Sequence, residues 1–184
     1  MERIIRHSLL SGILVGVGVV INIKSTNQFI GSMLFSIALL TIIECGLSLY
    51  TGKIGFYDKT VLKELIVILI GNLLGVIIPI LVLFTQNDIY IKLYDISTVK
   101  FNSGYSELFL RSFMCGILMF VAVYCKKIVI TIFCIMVFIL SGYEHCIANF
   151  PYLCINFNMQ NFIKFFCMIA GNSIGSIITN KLIK

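Results

Sequence analysis

Charge is scarce in this chain. Only 12% of its 184 residues are Asp, Glu, Lys or Arg, and 59% are apolar. An ordinary soluble domain holds about 25% and about 45–50% respectively. The mean hydropathy is +1.04, and the excess lies in long runs. That excludes water as the solvent of most of the chain and leaves lipid. Histidine is nearly missing: His7 and His145 are the only two. No H-E-x-x-H and no serine-nucleophile motif occurs. A membrane-embedded hydrolase built on Glu144 and His145 therefore lacks a second catalytic group. No enzyme activity, no cofactor and no metal are expected. The seven cysteines (45, 115, 125, 134, 146, 154 and 167) are odd in number, with no C-x-x-C and no zinc-like spacing. They read as small buried hydrophobes. The net charge of +6 is spread along the loops with no basic face interleaved with aromatics, so nucleic acid is not an expected partner.

What the chain does have is six apolar segments, at about 8–23, 29–50, 62–84, 108–125, 128–149 and 162–182. At about 20 residues per crossing, they fill most of the length with one transmembrane domain over 1–184 and leave little for a soluble one. The basic start, Arg3 and Arg6, resembles a signal peptide, but no A-x-A-like cleavage site follows. It reads as the first, retained span. The longest polar stretch, Thr85 to Glu107, falls midway and reads as a linker, over 87–106, between halves 1–86 and 107–184. Loop charge orients the chain. With the N-terminus inside, one side holds Arg3, Arg6, Lys53, Lys59, Lys63, Lys126, Lys127, Lys181 and Lys184. The other holds only Lys24, Lys92, Lys100, Arg111 and Lys164. The positive-inside rule puts both termini in the cytoplasm of a cell-membrane protein.

The two halves echo each other. Gly71-Asn72-x-x-Gly75 answers Gly171-Asn172-x-x-Gly175, Ser8-x-x-x-Gly12 answers Ser112-x-x-x-Gly116, and Gly46 answers Gly142. Each half reads as three spans, an odd number, so the second half enters from the opposite side. Such inverted 3+3 repeats place a substrate site near the midplane, where discontinuous helices meet. The second and fifth spans carry the expected breaks, at Glu44–Lys53 and at Ser141-Gly142-Tyr143-Glu144-His145-Cys146-Ile147-Ala148-Asn149. Broken backbone at membrane depth is tolerated where it lines a cavity or is buried in protein. An intramembrane glutamate and histidine mark a transport path or proton relay by default. The G-N-x-x-G motifs read as close helix packing.

These residues resemble the formate/nitrite transporter family. Residues 141–149 are similar to its fifth-helix signature, S/A-G-F/Y-E-H-x-I-A-N. Cys45-Gly46-Leu47-Ser48-Leu49-Tyr50-Thr51-Gly52 is similar to its second-helix loop, and the two G-N-x-x-G motifs and Arg111-x-x-x-Cys115 match its third, sixth and fourth helices. Ser48 stands where the family has an acidic residue, Gly116 where it has asparagine, and tryptophan is absent. The resemblance implies an all-α membrane protein of aquaporin-like fold, with broken second and fifth helices. It also implies a homopentamer with one pore per protomer. The expected cargo is small monovalent anions or their weak acids: formate, nitrite and hydrosulfide, with acetate and lactate as further candidates. Carried over by position, His145 is the pore histidine, Thr51 faces it, and Asn149 closes the signature. Phe35, Leu39, Leu49 and Phe138 are the constriction residues.

A bare carboxylate crosses a ring of Phe and Leu at great cost, and its neutral acid crosses far more cheaply. His145, with a reference pKa of about 6.5, is the expected donor of a proton or hydrogen bond between two such rings. Glu144 is its neighbour in sequence and is expected to turn into the protein. Lys24, Lys164 and Arg111 outside, and Lys53 and Lys127 inside, are the expected vestibule charges that concentrate anions. A competing reading is the membrane substrate-binding subunit of an ATP-driven importer, also a short six-span protein. A water channel of the aquaporin type is excluded by the lack of Asn-Pro-Ala, the only prolines being Pro79 and Pro151.

Overall fold

The computed structural model describes residues 1–82 and 87–184, apart from the side chains of Lys59, Asn87 and Asp88. The last residues of the expected third span, 83 and 84, and the first two of the polar stretch, Thr85 and Gln86, lie outside the described residues. Helix and short turns make up the described chain. The helices are α1 (Glu2–Lys24), α2 (Gln28–Glu44), α3 (Tyr50–Lys53), α4 (Leu62–Leu81), α5 (Asn87–Asn102), α6 (Tyr105–Cys125), α7 (Ile128–Leu140), α8 (Cys146–Ile155) and α9 (Met159–Ile183). Four of them, α1, α4, α6 and α9, are long and apolar enough to cross a membrane whole. The second span is split into α2 and α3, and the fifth into α7 and α8.

Both breaks are made by the same device. α2 ends at Gly46 (φ +61°) and α7 at Gly142 (φ +66°), both left-handed. An L side chain resists that conformation, and glycine does not. The closing bonds match. Gly46 N–H donates to Ile43 and Leu47 N–H to Ile42, while Gly142 N–H donates to Ile139 and Tyr143 N–H to Phe138. This is the glycine-terminated helix end that satisfies the last carbonyls.

The core sits between paired long helices. α1 lies along α4 and α6 along α9, the two most extensive helix contacts of the molecule. Gly12 and Gly116 permit the closeness, since a Cβ at either would overlap the backbone carbonyl of Asn72 or Asn172. Lipid tails give helices no hydrophobic reason to associate, so such close approach carries the association through van der Waals contact. Outward faces are apolar: Ile66, Ile70, Leu74 and Ile78 run down one exposed face of α4. A soluble surface does not sustain that.

The polar stretch expected as a linker holds a helix, α5. α5 buries Ile89, Leu93, Ser97 and Phe101, one stripe at four-residue spacing. Polar bonds tie it to α1 and α8. Lys92 Nζ donates to the carbonyl of Ile23 (2.5 Å) at the end of α1, and Ser97 Oγ to that of Tyr152 (2.8 Å) in α8.

Candidate functional site

The ends of the two breaks are held by asparagines from the long helices. Asn72 Nδ2 donates to the carbonyls of Ser8 (2.7 Å) and Ser48 (2.9 Å), and its Oδ1 accepts from Tyr50 N–H (2.8 Å). Asn172 Nδ2 donates to Ser112 (2.7 Å) and Glu144 (2.8 Å), and its Oδ1 accepts from Cys146 N–H (2.8 Å). Each amide therefore satisfies backbone groups that a broken helix leaves without intrahelical partners. Both side chains are fully buried. The G-N-x-x-G motifs thus do more than pack helices: their asparagines fix where the second half of each broken span starts.

That anchoring sets the direction of Glu144 and His145. The His145 ring caps α8: Nδ1 accepts the N–H of Ala148 at 3.2 Å. An accepting Nδ1 carries no proton, so in the neutral ring the hydrogen is on Nε2. Nε2 lies 2.9 Å from Thr51 Oγ1 in α3, and so donates to it. Cys146 and Ala148, in the first turn of α8, already spend their N–H groups on Asn172 and His145. The imidazole, rather than these amides, is presented at the end of the half-helix. His145 is 3% exposed and Thr51 fully buried.

Glu144 points elsewhere. Its carboxylate, 2% exposed, accepts from Lys100 Nζ of α5 at 2.7 Å and from Asn149 Nδ2. Lys100 also lies 5.6 Å from the centre of the Tyr152 ring. A buried carboxylate is stable only when paired and hydrogen-bonded. Both conditions are met, with the cation supplied from the segment between the halves. Sequence reasoning counted Lys100 only as a topology charge. The α5 stripe of Ile89, Leu93 and Phe101, read as a helix, is the signal that would have turned Lys100 inward.

Three cavities share lining residues in turn, and the imidazole lines the middle one. The largest, about 600 Å³, is lined by Phe35, Lys100, Arg111, Phe138, Glu144 and Asn149 among others. A central one of about 10 Å³ is lined by Val15, Phe35, Ala38, Leu39, Leu49, Met119, Ile135, Phe138 and His145. A third, about 110 Å³, is lined by Ile42, Gly46, Leu49, Lys53, Val123 and Lys126 among others. Phe35 and Phe138 belong to both the first and the second, and Leu49 to both the second and the third. The two phenylalanine rings meet edge to face, centres 5.8 Å apart. The central space is about one water in size, since a cavity needs roughly 10–15 Å³ to hold one.

The candidate vestibule charges divide. Arg111 lines the large cavity and pairs with Glu107 one turn away in α6. Lys53 lines the small one, beside Lys126. Lys127 is exposed at the start of α7 and lines none of the three; its neighbour Lys126, turned by a left-handed backbone (φ 52°), occupies that mouth. Lys24 is exposed at the end of α1, outside the cavity linings. Lys164 is not at a mouth. It is 5% exposed, its ammonium donates to the carbonyl of Phe101 at 2.6 Å, and it stands 5.6 Å from the Tyr105 ring centre. A lysine on a spanning helix next to the end of α5 finds free carbonyls there, and that attraction takes it out of solvent.

Comparison with known proteins follows this geometry. The family model of the formate/nitrite transporters matches residues 1–184. The chain belongs to the formate/nitrite transporter family. A formate channel of Escherichia coli, FocB, is 25% identical over 150 residues, 68% of this chain and 53% of that protein. A transporter of Bacillus subtilis, YwcJ, is 26% identical over 180 residues, 80% of this chain and 70% of that protein. The chain thus spans about half the length of FocB. In fold it resembles a solved pentameric formate channel with formate bound, with a TM-score of 0.84 and 20% identity over 98% of this chain and 94% of that one. An ion channel of the same family gives 0.80 and 18%, over 97% and 87%. Family membership and apolar helices together make this a membrane protein.

Proposed function

We propose that this chain is a channel for small monovalent anions, moved as or alongside their neutral acids, with formate, nitrite and hydrosulfide as its substrate class and acetate and lactate as larger candidates. The observation that carries the reading is the series of three cavities sharing Phe35, Phe138 and Leu49, with His145 in the middle one. The FocB and pentameric formate-channel relatives support the same cargo. The importer-subunit reading draws no support from these relatives.

In this mechanism the substrate enters the large cavity, passes as its neutral acid when the Phe35 and Phe138 rings part, and meets the imidazole. There it replaces Thr51 Oγ1 as acceptor of the Nε2 hydrogen. A neutral imidazole donates a hydrogen bond readily but is a very weak acid. Outright transfer of a proton from the ring requires imidazolium, and imidazolium forms only if Nδ1 gives up Ala148 N–H. The geometry therefore favours His145 as hydrogen-bond donor in the resting state, with the proton arriving on the substrate. The fixed Glu144–Lys100 pair keeps the carboxylate from facing the anion. Lys100 and Arg111 line the large cavity together with Asp95 and Glu144, so its charges balance and an entering anion meets polar groups there rather than a net positive field. Leu39 and Leu49 complete the apolar collar.

The two halves, 1–86 and 107–184, are proposed to form an inverted repeat joined by the 87–106 segment, with both termini in the cytoplasm and the chain in the cell membrane. The matched roles of Asn72 and Asn172, and of Gly46 and Gly142, support that arrangement. A homopentamer is proposed because one solved relative is pentameric, and because the outward apolar faces suit lipid and neighbouring copies. The test is a stopped-flow panel in proteoliposomes with formate, nitrite, hydrosulfide, acetate and lactate at two pH values. For a carboxylic acid well above its pKa, one pH unit down raises the neutral form about tenfold, and uptake is expected to follow it. Uptake of none of the five would overturn the channel reading.

A further inference from the structure

We propose that Gly18 of α1 sets the aperture of the Phe35–Phe138 constriction, by leaving the recess in which the Phe35 ring sits. The inference rests on the channel reading above and adds a positioning residue that does not itself contact the substrate.

Mid-helix glycine is less favourable than alanine, so each glycine of α1 needs a reason. Gly12 and Gly16 have one in helix packing: a Cβ at Gly16 would lie 2.6 Å from the carbonyl oxygen of Val76, and one at Gly12 would overlap that of Asn72. Gly18 is different. The three atoms nearest to its missing Cβ all belong to one ring, Phe35 Cδ1 and Cγ at 3.1 Å and Cδ2 at 3.2 Å. Ordinary carbon contacts lie at about 3.5–4.0 Å. The ring therefore rests on the backbone of α1, closer than a Cβ there would allow without a shift of a few tenths of an ångström. The same ring meets Phe138 across the edge contact of 5.8 Å between centres. Phe35 thus touches both α1 at Gly18 and the Phe138 ring, and a shift of the ring alters the edge contact.

The second half supplies an internal control. Aligning Ser8 with Ser112 and Gly12 with Gly116 sets Ala122 of α6 at the place of Gly18. Ala122 is fully buried, so the matching position tolerates a methyl group. The backbone does not demand glycine at this place in the repeat; the phenylalanine ring does.

Gly18→Ala moves the Phe35 ring by a few tenths of an ångström and restricts its retreat when a substrate passes. A side chain forced off its rotamer loses up to about tenfold in population. The experiment compares wild type, Gly18→Ala, Phe35→Leu and the double variant in proteoliposomes at matched protein content, with formate and with lactate. Gly18→Ala is expected to slow formate by up to about tenfold and lactate by more. In the Phe35→Leu background the same exchange should have little effect, because the ring it strikes has gone. Wild-type rates from Gly18→Ala for both acids would overturn the inference. So would an equal loss in both backgrounds, which assigns Gly18 to helix packing. If Gly18→Ala does not assemble, the double variant should, and its failure also overturns the inference. A wild type that moves neither acid sinks the channel reading itself, a result distinct from all of these.

Discussion

Removing the amide of Asn172 should unfasten the second broken span. In Asn172→Ala, Cys146 N–H loses its only side-chain acceptor and the Glu144 carbonyl its donor, while Ser112, inside α6, keeps its helical bond. Two buried backbone groups are orphaned. Each unsatisfied group costs about 1–3 kcal/mol, so the expected loss is about 2–6 kcal/mol, a large share of the roughly 5–15 kcal/mol that holds a protein folded. Ser173→Ala is the control, since it removes two side-chain hydrogen bonds, from Tyr50 OH and to the Ile169 carbonyl, and leaves the backbone groups at both breaks paired; its cost should be about 1–3 kcal/mol. The assay is the fraction of detergent-solubilised protein surviving a heating series, read by size-exclusion chromatography. Asn172→Ala should fall well below both wild type and Ser173→Ala, and Asn72→Ala should behave alike in the first half. Survival of Asn172→Ala equal to that of Ser173→Ala would refute the assignment of the asparagines as clamps.

The remaining predictions are briefer. Lys100→Met leaves the Glu144 carboxylate buried without its cation and should destabilise the protein by about 3–5 kcal/mol. Adding Glu144→Gln should recover part of that in the same heating series, and no recovery would mean the pair is not what Lys100 supplies. Thr51→Val keeps the side-chain volume but leaves the Nε2–H of His145 unmatched, at a cost of about 1–3 kcal/mol. Formate uptake should change while assembly persists; unaltered uptake kinetics would argue against a shared role. Phe138→Ala removes one side of the edge contact and should raise lactate uptake relative to formate, which a ratio of initial rates reads directly.

The spanning helices were legible because lipid imposes a coarse rule: long apolar runs must be helical, and α1, α4, α6 and α9 obey it. The two interruptions were legible because Gly46 and Gly142 stand where an unbroken span has no use for glycine. The work of Asn72 and Asn172 was not. Their partners are backbone groups up to 64 residues away, and a side chain that binds backbone leaves no complementary residue type to find. Lys100 was hidden for a related reason, its carboxylate partner lying 44 residues on. The stripe of Ile89, Leu93 and Phe101 that turns it inward is short and interrupted by polar residues. Lys164 misled because charge counting assigns a lysine to a side of the membrane and says nothing of a nearby helix end that will take its ammonium.

The most direct test concerns the imidazole in the central cavity. Wild type and His145→Ala, reconstituted at equal density and shown to assemble equally, are compared for formate uptake driven by the same gradient. The account predicts that loss of the ring abolishes or strongly slows uptake at every pH tested. Formate uptake of wild-type rate and pH profile in His145→Ala would contradict it.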